Sequence, residues 1–195
     1  MKTIIGIIAI TLAFLAYIPY FRDILKGKTK PHIYSWFVWG FLTTIIFALQ
    51  IKGGGGAGAW VTLSAGIFSF IVFFLGLRTG DKDITRSDTI FFIAALMATG
   101  LWVFAKQPTL SVILLVVIDM LGFIPTIRKS WKKPQEETLF MWALNGFRHS
   151  LSIVALRQYN TLTLLYPIAW AIANILFSTM LILRRKALST NGNKR

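Results

Sequence analysis

The chain of 195 residues has no cysteine, only two histidines, and seven acidic residues against 21 lysines and arginines. Without thiols there can be no disulfides and no thiolate metal sites. The few histidines and acids form no metal cluster and no nucleophile–base constellation, so the sequence points to no enzyme, no metal and no cofactor. Charged residues of any kind are scarce, at 14% of the chain against about 25% in soluble domains.

What fills the chain instead is apolar sequence: 55% of residues are hydrophobic and the mean hydropathy is +0.66. Seven runs, at 3–21, 33–51, 57–77, 89–105, 109–127, 138–156 and 161–183, come close to the ~20 residues that carry a helix across ~30 Å of hydrocarbon. None alternates apolar and polar residues, which excludes a β-barrel. The expected class is an all-α membrane protein with seven transmembrane helices.

The net charge of +14 is divided among loops rather than gathered in one patch, which argues against a nucleic-acid partner. Sixteen basic residues fall in the loops after the first, third, fifth and seventh runs, beginning at Arg22, Arg78, Arg128 and Arg184. Only Lys2, Lys52, Lys106 and Arg157 fall on the other side, and Arg148 lies inside a run. This is the positive-inside pattern, and it predicts an amino terminus outside and a carboxyl terminus in the cytoplasm. The plasma (inner) membrane is the expected location, since no sorting signal is legible. The first run is read as a retained span rather than a cleaved signal peptide, because four basic residues follow it and only Lys2 precedes it.

An internal repeat organises these runs. "YIPYFRDILKGKTKPHIYSWFVWG" ends the first run and opens the second, and "FIPTIRKSWKKPQEETLFMWALNG" does the same for the fifth and sixth. Pro19 and Pro125, Arg22 and Arg128, and Arg78 and Arg184 are each separated by 106 residues. The chain therefore divides into a three-helix repeat (1–80), a linker helix (81–107), a second three-helix repeat in the same orientation (108–186) and a disordered tail (187–195). Parallel repeats of this kind are a transporter arrangement.

With this order of proline, basic loop and Trp-rich second helix, the chain resembles the PQ-loop superfamily, which includes the SWEET sugar transporters. Tyr20 and Thr126 stand where the family has glutamine after the proline, and Pro134-Gln135 lies in the loop. The resemblance implies a small solute held between two three-helix bundles, alternating access, hinges at Pro19 and Pro125, and a substrate contact at Asn174. By the 106-residue offset the repeat partner of Asn174 is Phe68, so the pocket is expected to be asymmetric.

The polar residues of the runs share one depth. Asp119, Arg148, His149 and Asn174 all lie near the middle of their spans, where a charged group costs about 2.5–3.5 kcal/mol unless it pairs, lines water or meets a ligand. Trp142, Asn145, His149 and Ser152 recur at helical spacing with Arg148 at their edge, and Tyr166, Trp170, Asn174 and Ser178 form a second stripe. Polar groups edged by tryptophan suit a small polar solute. The expected substrate site is therefore Trp142, Asn145, Arg148, His149, Trp170 and Asn174. Asp119 either couples the cycle to protons or neutralises Arg148 as a structural ion pair. Trp36, Trp60 and Trp102 read as interfacial anchors. "KGGGGAG" from Lys52 lacks the Gly-Lys-Ser/Thr ending of a phosphate loop and reads as a flexible turn.

The expected function is transport of a small polar, anionic metabolite, with a proton as the coupling ion. A ligand-binding receptor or sorting protein on the same fold is the alternative. The expected partners are the small-molecule substrate and membrane lipid, and association into a homo-oligomer is compatible with the sequence.

Overall fold

The computed structural model describes residues 1–80 and 85–192. Lys82, Lys194, Arg195 and the side chain of Trp102 lie outside the described residues. The described chain is helical throughout: α1 Lys2–Leu25, α2 Ile33–Lys52, α3 Ala57–Thr79, α4 Arg86–Val103, α5 Pro108–Leu121, α6 Ile124–Lys132, α7 Leu139–Ala155 and α8 Thr161–Gly192, with one 3₁₀ turn at Pro134–Glu136. Among the described residues, α1, α2, α3, the α5–α6 pair and α8 are long and apolar enough to cross a membrane. These helices fit an integral membrane protein.

Three elements differ from expectation. The run 109–127 is not one helix. Gly122 caps α5, and α6 restarts with Pro125 in its first turn, where the missing proline N–H costs nothing. Pro19, by contrast, sits inside an unbroken α1. The helix α7 has 17 residues, or about 25 Å at 1.5 Å per residue, a little shorter than the run 138–156. Finally, α8 continues to Gly192 through residues expected to be a tail. Ala187 and Leu188 are good helix formers there, and Ser189 Oγ bonds back to the Lys186 carbonyl at 2.8 Å.

Small residues set how closely the helices pack, as they do where lipid offers no hydrophobic driving force. Gly6, Ala9, Ala13 and Ala16 form the buried stripe of α1. At Gly58 a Cβ would stand 2.7 Å from the Ser152 carbonyl oxygen and 2.9 Å from the Leu156 amide nitrogen, so α3 and α7 meet backbone to backbone there. In the packing order, α3 contacts both α1 and α2, while α8 contacts α7, α5 and α6. Further contacts join α1 to α7, α2 to α5 and α8, and α3 to α7, and α4 lies against α5 and α2.

The two ends of the molecule differ. One carries the basic clusters at Arg22, Arg78, Arg128 and Arg184 and is called the basic end below. The other carries the turn Gly53–Gly56 and is called the glycine end. That turn was expected to be flexible, but it is docked. Asn160 Nδ2 donates to the Gly53 carbonyl at 2.9 Å, and the Arg157 amide donates to the Gly55 carbonyl at 3.0 Å. Positive φ at Gly54 and Gly56 (78° and 59°) lets the chain turn tightly enough for this contact.

Candidate functional site

The α7 stripe is where the sequence places it. Trp142, Asn145, Arg148, His149 and Ser152 are all buried, and they face α1, α3 and α8 rather than lipid. Arg148 is 1% exposed. Its Nε donates to Asn145 Oδ1, Nη1 reaches the Val61 carbonyl at 3.4 Å, and Nη2 lies 3.2 Å from His149 Nε2. Arginine has only donors, so His149 Nε2 accepts and the ring proton resides on Nδ1. That Nδ1–H is buried without a partner.

Across from α7, α8 supplies Tyr166, Trp170 and Asn174. Trp170 Nε1 donates to Asp119 Oδ2 at 2.6 Å, and its ring stacks on His149 with centroids 6.3 Å apart and an interplanar angle of 21°. Asn174 Nδ2 donates to the Trp170 carbonyl at 2.7 Å, which leaves Asn174 Oδ1 buried and unpartnered. From α2, Thr43 Oγ1 pairs with the Tyr166 hydroxyl at 3.2 Å, and Trp39 Nε1 donates to the Asp119 carbonyl at 3.3 Å.

These side chains enclose a cavity of about 30 Å³, room for about one water. All six residues expected to hold substrate (Trp142, Asn145, Arg148, His149, Trp170 and Asn174) line it. So do Tyr17, Trp36, Trp39 and Tyr166. Trp36 corrects the expectation of an interfacial anchor: it is 2% exposed and packs edge-on to Trp39 at 5.1 Å. Trp60 is 54% exposed. Tyr17 was not anticipated; it shares the cavity wall with Asn145 and Arg148. The signal for it was available in the sequence, since it continues the buried small-residue stripe of α1. Phe68, the offset partner of Asn174, stacks on Tyr17 at 4.6 Å and adds no polar group.

Asp119 is fully buried but forms no ion pair with Arg148; among the described residues the ion pairs are Arg22–Asp23, Lys30–Glu136, Lys129–Glu137 and Lys133–Glu136. The structural-pair reading of Asp119 therefore fails. Because α8 packs on both α5 and α7, Trp170 takes the carboxylate instead. Asp119 Oδ1 has no partner. No group of three or more metal-ligating side chains occurs among the described residues. The cavity thus offers a buried cation without a carboxylate, one spare donor on His149 and one spare acceptor on Asn174, set among indole and phenol rings.

Contacts between the N-terminal helices (α1–α3) and the C-terminal helices (α5–α8) flank the cavity at both ends. Toward the glycine end, Lys2 Nζ donates to the Leu156 carbonyl at 2.6 Å and Gln50 Nε2 to the Thr163 carbonyl at 3.0 Å. Toward the basic end, Ser35 Oγ donates to the Gly122 carbonyl at 3.0 Å and Thr138 Oγ1 to Asp23 Oδ2 at 3.0 Å. There the buried Glu137 accepts from Tyr20 OH at 3.4 Å, Trp142 Nε1 at 3.1 Å and Lys129 Nζ at 2.7 Å. Sequence reasoning missed Glu137 because it lies in a loop, where an acid is ordinarily solvated.

Comparison with protein-family models, with curated proteins and with solved structures gives no match to this chain.

Proposed function

We propose that the chain is a seven-span membrane transporter of a small, polar, anionic metabolite, working by alternating access between two three-helix bundles in the manner of the PQ-loop superfamily. The observation that carries this reading is Arg148, a buried cation at the cavity wall with no carboxylate partner among the described residues. A charge in that position is costly, and an anionic ligand would satisfy it with charge-assisted hydrogen bonds. The spare His149 donor and Asn174 acceptor suit a solute bearing both an acceptor and a hydroxyl or amino group.

The packing order supports the two-bundle arrangement. Exchanging α1, α2 and α3 with α5–α6, α7 and α8 turns each inter-bundle contact into another that is present: α1·α7 into α2·α5, and α2·α8 into α3·α7. Such reciprocity is what a two-fold axis between the repeats produces, and equivalent spans that lie four apart along the chain would set that axis along the membrane normal. With interactions across both ends and room for one water, the conformation corresponds to an occluded stage, and the cavity must widen to admit solute. In this reading α4 is the linker span, the amino terminus is outside, the basic end is cytoplasmic, and Asp119 carries the coupling proton.

The test uses the absence of native cysteine. A single cysteine at Asn174→Cys is challenged with a membrane-impermeant maleimide from each side of an intact membrane in turn. Labelling from both sides is expected. Labelling from one side only would replace transport with the receptor reading, and no labelling from either would remove Asn174 from the site.

A further inference from the structure

The basic end carries a second site-like feature, away from the central cavity. Trp131 on α6 is 52% exposed and stands between two surface clefts. One, of about 330 Å³, runs along the α6 face Ile124, Ile127, Arg128, Trp131 and Lys132. The other, of about 250 Å³, runs between Trp131 and the α8 stripe of Leu176, Met180 and Leu183, with Arg184 at its end. On α6 the apolar residues Ile124, Ile127 and Trp131 are interrupted by Arg128 and followed by Lys132, and on α8 Leu176, Met180 and Leu183 enclose Thr179 and are followed by Arg184; each stripe spans about 10 Å along its helix axis at 1.5 Å per residue. The Arg184 guanidinium lies over the Trp131 ring at 4.5 Å and its Nε donates to the Trp131 carbonyl at 3.1 Å, so ring and charge are held together.

The acids with ion pairs at this end are committed elsewhere: Asp23 to Arg22, Glu136 to Lys30 and Lys133, and Glu137 to Lys129. Among the described residues no carboxylate pairs with Arg128, Lys132 or Arg184. Two adjoining apolar clefts with cations at one end match, in shape and charge, a molecule with two hydrocarbon chains and one negative headgroup.

We propose that this face binds one anionic phospholipid from the leaflet on the basic side. Its phosphate is held among Arg128, Lys132 and Arg184, and its two acyl chains lie in the clefts on either side of Trp131. Basic residues elsewhere on this end also attract anionic lipid, but that attraction would not depend on Trp131 or on Arg128 and Arg184 in particular. The proposal requires membrane insertion alone and stands apart from the transport reading, so its test measures lipid rather than solute.

The full chain, purified in mild detergent, is titrated with phosphatidylglycerol or phosphatidylcholine of identical acyl chains, and adducts are counted by native mass spectrometry. The expected result is a single phosphatidylglycerol adduct at concentrations where phosphatidylcholine gives none. Arg128→Gln and Arg184→Gln should each weaken it roughly fivefold, the worth of one basic residue at an anionic surface. Trp131→Ala should abolish the single adduct, while Arg184→Lys should keep the headgroup preference. Equal retention of the two lipids by the unmodified chain would overturn the proposal, and so would unchanged affinity in the two glutamine variants. The lipid comparison on the unmodified chain needs no variant to fold.

Discussion

Glu137→Gln should unlatch the basic end. Its carboxylate is 1% exposed and the Lys129 side chain that pairs with it only 9%. It also accepts from Tyr20 and Trp142, and Lys129 in turn donates to the Lys30 carbonyl. The acid thus ties α1 and the loop after it to the C-terminal helices. Breaking a fully buried pair costs about 3–5 kcal/mol, but Lys129 can rotate into water and the glutamine amide keeps one acceptor for Tyr20 or Trp142. A hydrogen bond to a charged group, worth about 1.5–3 kcal/mol, is the better guide. A loss of about 2 kcal/mol from the closed state raises the population open at the basic end about thirtyfold. A single cysteine at Ser69→Cys, on the cavity wall, reports that population as its labelling rate from the basic side. Labelling should rise about thirtyfold from that side and not from the other. Tyr20→Phe, which removes only the 3.4 Å bond, should give a rise of about fivefold, the effect of about 1 kcal/mol. An unchanged rate in Glu137→Gln would refute the latch.

Arg148→Ala should abolish anion binding while the chain still inserts. Truncating one partner of a buried charge pair costs about 2–5 kcal/mol, so thermal-shift responses to a panel of small carboxylates should vanish, and a retained response would sink the anion site. Asp119→Asn keeps an acceptor for Trp170 Nε1 but cannot ionise. Uptake into proteoliposomes should therefore lose its dependence on an imposed pH gradient, and a preserved dependence would clear Asp119 of that role. Gly58→Ala places a methyl 2.7 Å from the Ser152 carbonyl, and overpacking of this kind costs about 1–3 kcal/mol. Its thermal midpoint in detergent should fall, whereas Gly27→Ala, with nothing within 4 Å of the added carbon, meets only backbone strain.

Much of the candidate site was legible along single helices. Trp142, Asn145, His149 and Ser152 lie on one face because α-helical spacing places them there whatever surrounds the helix, and the same holds for Tyr166, Trp170 and Asn174. Relations between helices were not legible. Asp119 and Arg148 share a depth, yet depth alone does not bring two charges together when Trp170 takes the carboxylate. Trp36 reads as an anchor because a tryptophan near a helix end looks the same whether it faces headgroups or a neighbouring helix. The glycine turn reads as loose because its partners, Arg157 and Asn160, lie more than 100 residues away.

The sequence by itself determined the helical class and the membrane character of the long apolar segments, because both follow from local run length and hydropathy. It also determined which side chains each helix presents together, because periodicity is a property of one chain segment. Only the tertiary structure decided that Arg148 has no carboxylate partner among the described residues, that Tyr17 and Trp36 join the cavity, and that Glu137 is buried. Each of those depends on which helix packs beside which. That choice rests on close backbone approaches such as Gly58 against Ser152, made between residues far apart in the chain.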